Sequence, residues 1–208
     1  MISRFALLLL LCLPFAPAQA QDSAPTQPAA APKPATVRVS LQTSLGAILI
    51  ELEKERAPLT TANFLRYIDQ KRMDGANFYR ATKVGEGFGL IQGGTRNDPK
   101  RTLAAIAHEP TSQTGLSHVD GAIAMARNAP GSATGDFFIT VGAFPTMDAD
   151  PSQPGDNLGF AVFGRVVEGM DVVRAILAAP TSPTEGEGVM KGQMLSPPVR
   201  IITARRAE

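Results

Sequence analysis

The stretch Asn77 to Gly94 reads N-F-Y-R-A-T-K-V-G-E-G-F-G-L-I-Q-G-G. Arg80 ends an aromatic pair, and Gln92 follows an apolar run and precedes two glycines. A guanidinium is a permanently charged, planar fork of donors, and a carboxamide oxygen can hold one arm of it. A second stretch, Ala122 to Thr140, reads A-I-A-M-A-R-N-A-P-G-S-A-T-G-D-F-F-I-T. Its apolar start carries Met125, its middle is a turn-rich loop, and Phe137-Phe138-Ile139 has the character of a strand. Adjacent strand residues face opposite ways, so one phenylalanine can fill a core while the other lines a surface cavity. An Arg and a Gln on neighbouring strands, beside a Met and a Phe, predict a shallow apolar cleft with a charged rim.

Other chemistries find little support. Gly85-x-Gly87-x-Gly89 lacks the following helix of a dinucleotide loop. Asp148-x-Asp150-x-Ser152 has its glycine too late for a calcium loop, and Gly159 stands where the closing Glu belongs. His108 and His118 lack zinc spacing and are expected in loops. No metal and no cofactor is expected.

Five pieces, in this order, are shared with one family: F-Y-R (78–80), I-Q-G-G (91–94), M-A-R (125–127), F-F-I (137–139) and F-G-R-V (163–166). From about Val37 to Thr203 the chain resembles the cyclophilins, peptidyl-prolyl cis-trans isomerases that bind cyclosporin. The resemblance implies a mainly β fold, a closed eight-stranded antiparallel barrel with a helix capping each end. It also implies isomerisation of X-Pro bonds, with proline-containing segments as partners. In this reading Arg80 is catalytic and Gln92 orients it. Leu90, Met125, Phe138 and Met147 form the proline pocket, and the backbone of Ala126 and Arg127 pairs with the peptide. Phe88, Asp136 and Phe160 complete the substrate-binding set.

The chain departs from the family pattern in four places. Arg80 and Gln92 are four positions further apart than usual, with the extra residues around Lys83 to Gly87. The Phe usually three before the Gln is Gly89, with Phe88 beside it. Asp136 replaces a Gln; it is expected either to pair with Arg80 or to stay hydrated at the rim, and in both cases to be dispensable. There is no Trp; the usual position falls near Thr146, and Phe160 replaces a common His. Weak cyclosporin binding is the expected consequence. A non-catalytic binder of Pro segments, or a barrel for an unrelated small ligand, remains an alternative.

The elements that must position these residues follow from periodicity. Val37, Val39 and Leu41, then Ile48, Ile50 and Leu52, alternate with polar or small residues as a hairpin. Pro58 to Gln70 predicts a helix capped by Thr60 or Thr61, with Leu59, Phe64, Leu65 and Ile68 inward. Gly159 to Val167 reads as a strand, Met170 to Ala178 as a second helix, Thr181 to Ser196 as a loop and Val199 to Ala204 as the last strand. The 19 glycines and 17 prolines among 208 residues favour turns over long helices.

Ahead of this domain (residues 36–208) stand two segments. Met1 to Ala20 reads as a signal peptide, with Arg4, an apolar core from Phe5 to Leu13 and the small-x-small site Ala18-Gln19-Ala20. That core is far short of the roughly 20 residues that span a bilayer. Gln21 to Ala35, with four prolines and five alanines, reads as a disordered spacer. Cleavage removes Arg4 and no acid from a formal charge of +1, leaving zero, and removes Cys12, the sole cysteine. A periplasmic or secreted monomer follows as the expectation, without thiol chemistry and without electrostatic attraction to nucleic acid or membrane.

Overall fold

The structure, a computed structural model, describes residues 34–208. The signal-peptide reading and almost all of the spacer lie outside the described residues. No helix among the described residues is long and apolar enough to cross a membrane.

Among the described residues nine strands occur: β1 (Val37–Thr43), β2 (Gly46–Leu52), β3 (Asn77–Gly85), β4 (Phe88–Gly94), β5 (Ala122–Met125), β6 (Phe137–Val141), β7 (Val162–Glu168), β8 (Thr181–Ser182) and β9 (Met194–Ala207). The sheet runs β1-β2-β7-β5-β6-β4-β3-β9, and β1 pairs with β9 to close it. Every pairing is antiparallel. The result is the expected eight-stranded barrel, with two-residue β8 appended to β9. Closure leaves no long free edge to pair with another chain.

Among the described residues three α-helices accompany the barrel: α1 (Pro58–Asp69), the one-turn α2 (Thr111–Thr114) and α3 (Met170–Ala178). Helix α1 buries Phe64, Leu65, Tyr67 and Ile68, and α3 buries Val173, Ile176 and Leu177. Inside the barrel Phe137 packs edge-on against Phe64 at 5.3 Å and against Phe78 at 5.6 Å. Leu59, expected on the inward stripe of α1, is exposed.

The expected threonine cap of α1 is absent. The N-cap position is Ala57, without a side-chain hydrogen bond. Thr60 and Thr61 lie inside the helix, buried. The cap comes instead from Glu109, whose carboxylate accepts the N–H of Leu59 at 3.1 Å, the N–H of Thr60 at 2.7 Å and the Thr60 hydroxyl at 2.6 Å. An anion there satisfies orphan donors and faces the positive end of the helix dipole.

The four extra positions between Arg80 and Gln92 extend a hairpin. Lys83 pairs with Gly89 and Gly85 with Phe88, so β3 and β4 turn at Glu86-Gly87. The lengthened strand carries the Lys83 ammonium to the C-terminus of α3, where it donates to the carbonyls of Ala178 at 3.2 Å and Ala179 at 2.8 Å. A cation at a helix C-terminus is favourable.

Glu109 is 2% exposed, so its loss strands buried donors. Glu109→Ala is expected to cost about 2 kcal/mol and to lower Tm by about 4–8 °C. An unchanged melting curve would show that water caps α1 equally well.

Candidate active site

A cleft of about 780 Å³ opens on the outer face of β3, β4 and β6. Its apolar side is a small cluster separate from the main core: Leu90 and Phe138, with Ala126, Met147 and Phe160 packed on them. The pleat places it there. Ile91, Phe137 and Ile139 point into the barrel, and Leu90 and Phe138 point out. Phe160 stands edge-on to Phe138 at 5.3 Å.

The other side is polar and centred on Arg80. Its Nε donates to Gln193 Oε1 at 2.8 Å and its Nη1 to Gln92 Oε1 at 2.9 Å. Gln193 also accepts the Thr82 hydroxyl at 2.9 Å. Nη2 makes no hydrogen bond among the described residues. Burial pulls the guanidinium below its ordinary value, yet such a group stays charged in proteins. The arrangement is a cation fixed on two sides beside an apolar pocket, with one N–H arm left for a ligand.

Two neighbours arrive by a local irregularity. Phe78 pairs with Gly93, and Arg80 pairs with Gln92, so β3 carries one extra residue, Tyr79, at a bulge. A bulge re-aims side chains. It brings both Tyr79 and Arg80 to the cleft, where simple alternation would separate them. Gln92 Nε2 donates to the Tyr79 hydroxyl at 2.7 Å, and that hydroxyl donates to Asp136 Oδ2 at 3.3 Å.

The family model described as cyclophilin type peptidyl-prolyl cis-trans isomerase/CLD matches residues 38–205. The chain belongs to this family. A peptidyl-prolyl cis-trans isomerase of Acinetobacter baylyi is 38% identical over 175 residues, covering 82% of this chain and 86% of that protein. One from Streptomyces antibioticus is 41% identical over 151 residues, covering 71% and 87%. A cyclophilin of Cryptosporidium parvum, crystallised in the presence of the dipeptide Ala-Pro, shares the fold at a TM-score of 0.66 and 20% identity, over 82% of this chain and 99% of that one. This cyclophilin is therefore a peptidyl-prolyl isomerase.

Most of its expected site residues meet in the cleft: Arg80, Leu90, Gln92, Ala126, Arg127, Asp136, Phe138, Met147 and Phe160. Two do not. Met125 sits opposite Phe137 and packs in the main core, because it shares the inward face with Ile123. Phe88 stacks on Phe144 at 4.4 Å and lies over Gly142, outside the cleft lining. Gly89 cannot carry the missing ring, since a Cβ there would collide with the carbonyl oxygen of Thr82. Nor is the Ala126 N–H free for a peptide; it donates to the Asp136 carbonyl at 2.9 Å.

Asp136 follows neither expected course. It is buried and makes no ion pair with Arg80. Its Oδ1 accepts the Arg96 N–H at 2.7 Å. Burial pushes the carboxyl above the ordinary carboxylate range, opposed by the hydrogen bonds from Arg96 and Tyr79.

Sequence reasoning missed Tyr79, Gln193, Arg96 and the loop residues Gly186, Glu187 and Met190, all of which line or support the cleft. The bulge that turns Tyr79 has no sequence signature. It also missed His118, which lies in a loop as expected but is buried, stacked beneath Phe138 at 5.8 Å. Its Nδ1 lies 2.6 Å from Asp148 Oδ1, and its Nε2 has no partner.

Burial lowers the His118 pKa from 6.5, against the pull of Asp148. The unfolded chain therefore takes up this proton at higher pH than the folded one. The stability concerned is complete above pH 6.5 and is lost as pH falls toward the folded value. Tm should drop as the pH is lowered through 6.5, and drop less in His118→Gln. Parallel losses in both proteins would assign the acid sensitivity to other groups, but not to Asp136, whose carboxyl is raised by burial and so takes up its proton more readily in the folded state.

Proposed function

We propose that Arg80 is the catalytic donor of this isomerase and that the Leu90, Phe138, Met147 and Phe160 pocket grips the proline ring. The X-Pro bond resists rotation because amide resonance gives C–N double-bond character, with a barrier of about 18–20 kcal/mol. Midway through rotation the resonance is broken and the prolyl nitrogen regains its lone pair. A donor aimed at that nitrogen favours the twisted form over either planar isomer, which is the condition for catalysis. Nη2 of Arg80 is the arm left to make that bond.

One charge-assisted hydrogen bond supplies about 1.5–3 kcal/mol, so the pocket must supply the remainder. The planar amide is the more polar form and loses more on leaving water, and an apolar pocket therefore favours the twisted one. The observation that carries this reading is the double restraint of Arg80 by Gln92 and Gln193 at the edge of an apolar cluster. A flexible surface arginine would have to be ordered during each turnover.

The clients proposed are proline-containing segments of exported proteins, met in the periplasm or outside the cell by a monomer. The sequence of residues 1–20 motivates the compartment, and the closed sheet, with no long edge to share, motivates the monomer.

Arg80→Ala should lower kcat/KM on an Ala-Pro peptide by roughly ten- to a hundredfold, with Tm nearly unchanged. NMR exchange between the two isomers and a thermal melt measure this together. An unaltered exchange rate would reduce Arg80 to a surface residue.

N-terminal sequencing of the exported protein should begin at Gln21, after Ala18-Gln19-Ala20. Recovery of an intact Met1 form in the membrane fraction would contradict export by cleavage.

A further inference from the structure

Four side chains form one hydrogen-bonded line through the cleft wall: Arg80, Gln92, Tyr79 and Asp136. Its ends have fixed chemistry. A guanidinium only donates, and an ionised carboxylate only accepts. The two groups between can each do both, so the ends decide which way every bond runs. The Tyr79 hydroxyl must give its proton to Asp136 and can then only accept from Gln92. Gln92 accordingly turns its nitrogen to Tyr79 and its oxygen to Arg80.

We propose that Tyr79 is a positioning residue for the isomerase: its hydroxyl, held by Asp136, fixes the Gln92 amide so that its oxygen faces Arg80. Without the hydroxyl, Gln92 can flip and present N–H to N–H, and Arg80 loses its sheet-side restraint. The bulge at Tyr79 serves this purpose, because it places the tyrosine on the same side as its neighbour. Asp136 is itself pinned, with Oδ1 on the Arg96 N–H and its side chain packed against Gly94.

The line has a pH-dependent end. A protonated Asp136 could donate, and the hydroxyl would be free to reverse. Asp136 is faced by the Tyr79 hydroxyl from β3, by the backbone of Thr95 and Arg96 and the Arg96 guanidinium after β4, and by Tyr67 from α1. Burial raises both the Asp136 carboxyl and the Tyr79 phenol above their ordinary ranges. The phenol therefore keeps its proton at working pH, and Asp136 takes one up above the usual carboxylate range. Activity should fall on acidification through that point.

Two substitutions test the line, with kcat and KM followed from about pH 4 to pH 8. Tyr79→Phe should lower kcat about five- to tenfold with KM little changed, and should lose the acid limb of the wild-type profile. Asp136→Asn keeps the shape. Its amide oxygen must stay on the Arg96 N–H, so its nitrogen would face Tyr79 and drive the line backwards; it should show the low rate at every pH. A Tyr79→Phe protein with wild-type kcat and acid limb, or a fully active Asp136→Asn protein, would overturn the proposal. Should Tyr79→Phe fail to fold, Asp136→Asn decides alone. The inference rests on isomerase turnover, but one readout does not. The Gln92 side-chain amide signals should move as Asp136 titrates in wild type and not in Tyr79→Phe. An inactive wild type would count against the isomerase reading, and identical amide shifts in both proteins would count against this one.

Discussion

The alternation of the β6 pleat at Phe137 and Phe138 is the constraint on which the rest depends. Two adjacent rings cannot share a face in a regular strand. Phe137 is taken by the core, between Phe64 and Phe78. Phe138 is thereby committed to the outside, where a large apolar ring needs cover. Phe160 and Met147 give part of that cover, and His118 supports the ring from beneath. Phe138 is left only 4% exposed, and what stays open lines the pocket. Register does the rest: β4 pairs Gln92 with Phe138 and Gly93 with Phe137. The amide that holds Arg80 and the ring that forms the pocket floor are thus cross-strand neighbours, fixed by the same ladder.

Polar groups in such a wall are costly unless each has a partner. Arg80 is held at Nε and Nη1, Tyr79 gives and receives one bond, and Asp136 accepts from Arg96 and Tyr79. The two supports of Arg80 differ in kind. Gln92 belongs to a central strand, while Gln193 ends the loop before β9. Motion of that loop can therefore alter one restraint on the guanidinium without touching the other.

Much of this was legible in the chain. The alternation of Val39, Leu41, Ile48 and Ile50 located the first hairpin, and the pairing of Arg80 with Gln92 was visible as a motif. What escaped was set by contacts distant in sequence or by faults in regularity. Gln193 meets Arg80 across 113 positions and Glu109 meets the start of α1 across 50, so no window of sequence reveals either. Met125 was misplaced because a long side chain beside a site is easily assigned to it, whereas its register opposite Phe137 sends it inward. Phe88 was misplaced because Gly89 left a vacancy in the motif, but the backbone there is too close to Thr82 for any side chain. His118 looked like a loop residue and is one; burial under Phe138 is a tertiary fact.

Arg127 shows how charge can build an apolar surface. Its guanidinium lies over the Phe160 ring at 5.2 Å, donates to the Gly159 carbonyl at 2.9 Å, and pairs with both oxygens of Asp156 at 2.9 Å. Its side chain is only 5% exposed. The Arg127 hydrogen bonds draw the Asp156 carboxyl down to about 2, so the pair persists across the working pH range. Phe160 and Met147 are joined by a backbone hydrogen bond of 3.0 Å, from the Phe160 N–H to the Met147 carbonyl. The intervening segment is thus closed at its neck. Gly159, at φ 58, fits there because a Cβ would strike the same Met147 carbonyl. Two walls of the apolar pocket are therefore fixed relative to each other by a backbone bond, a glycine and a bidentate ion pair. With Arg127 neutralised by Asp156, its charge stabilises the pocket wall, and Arg80 is left as the guanidinium of β3 that lines the cleft.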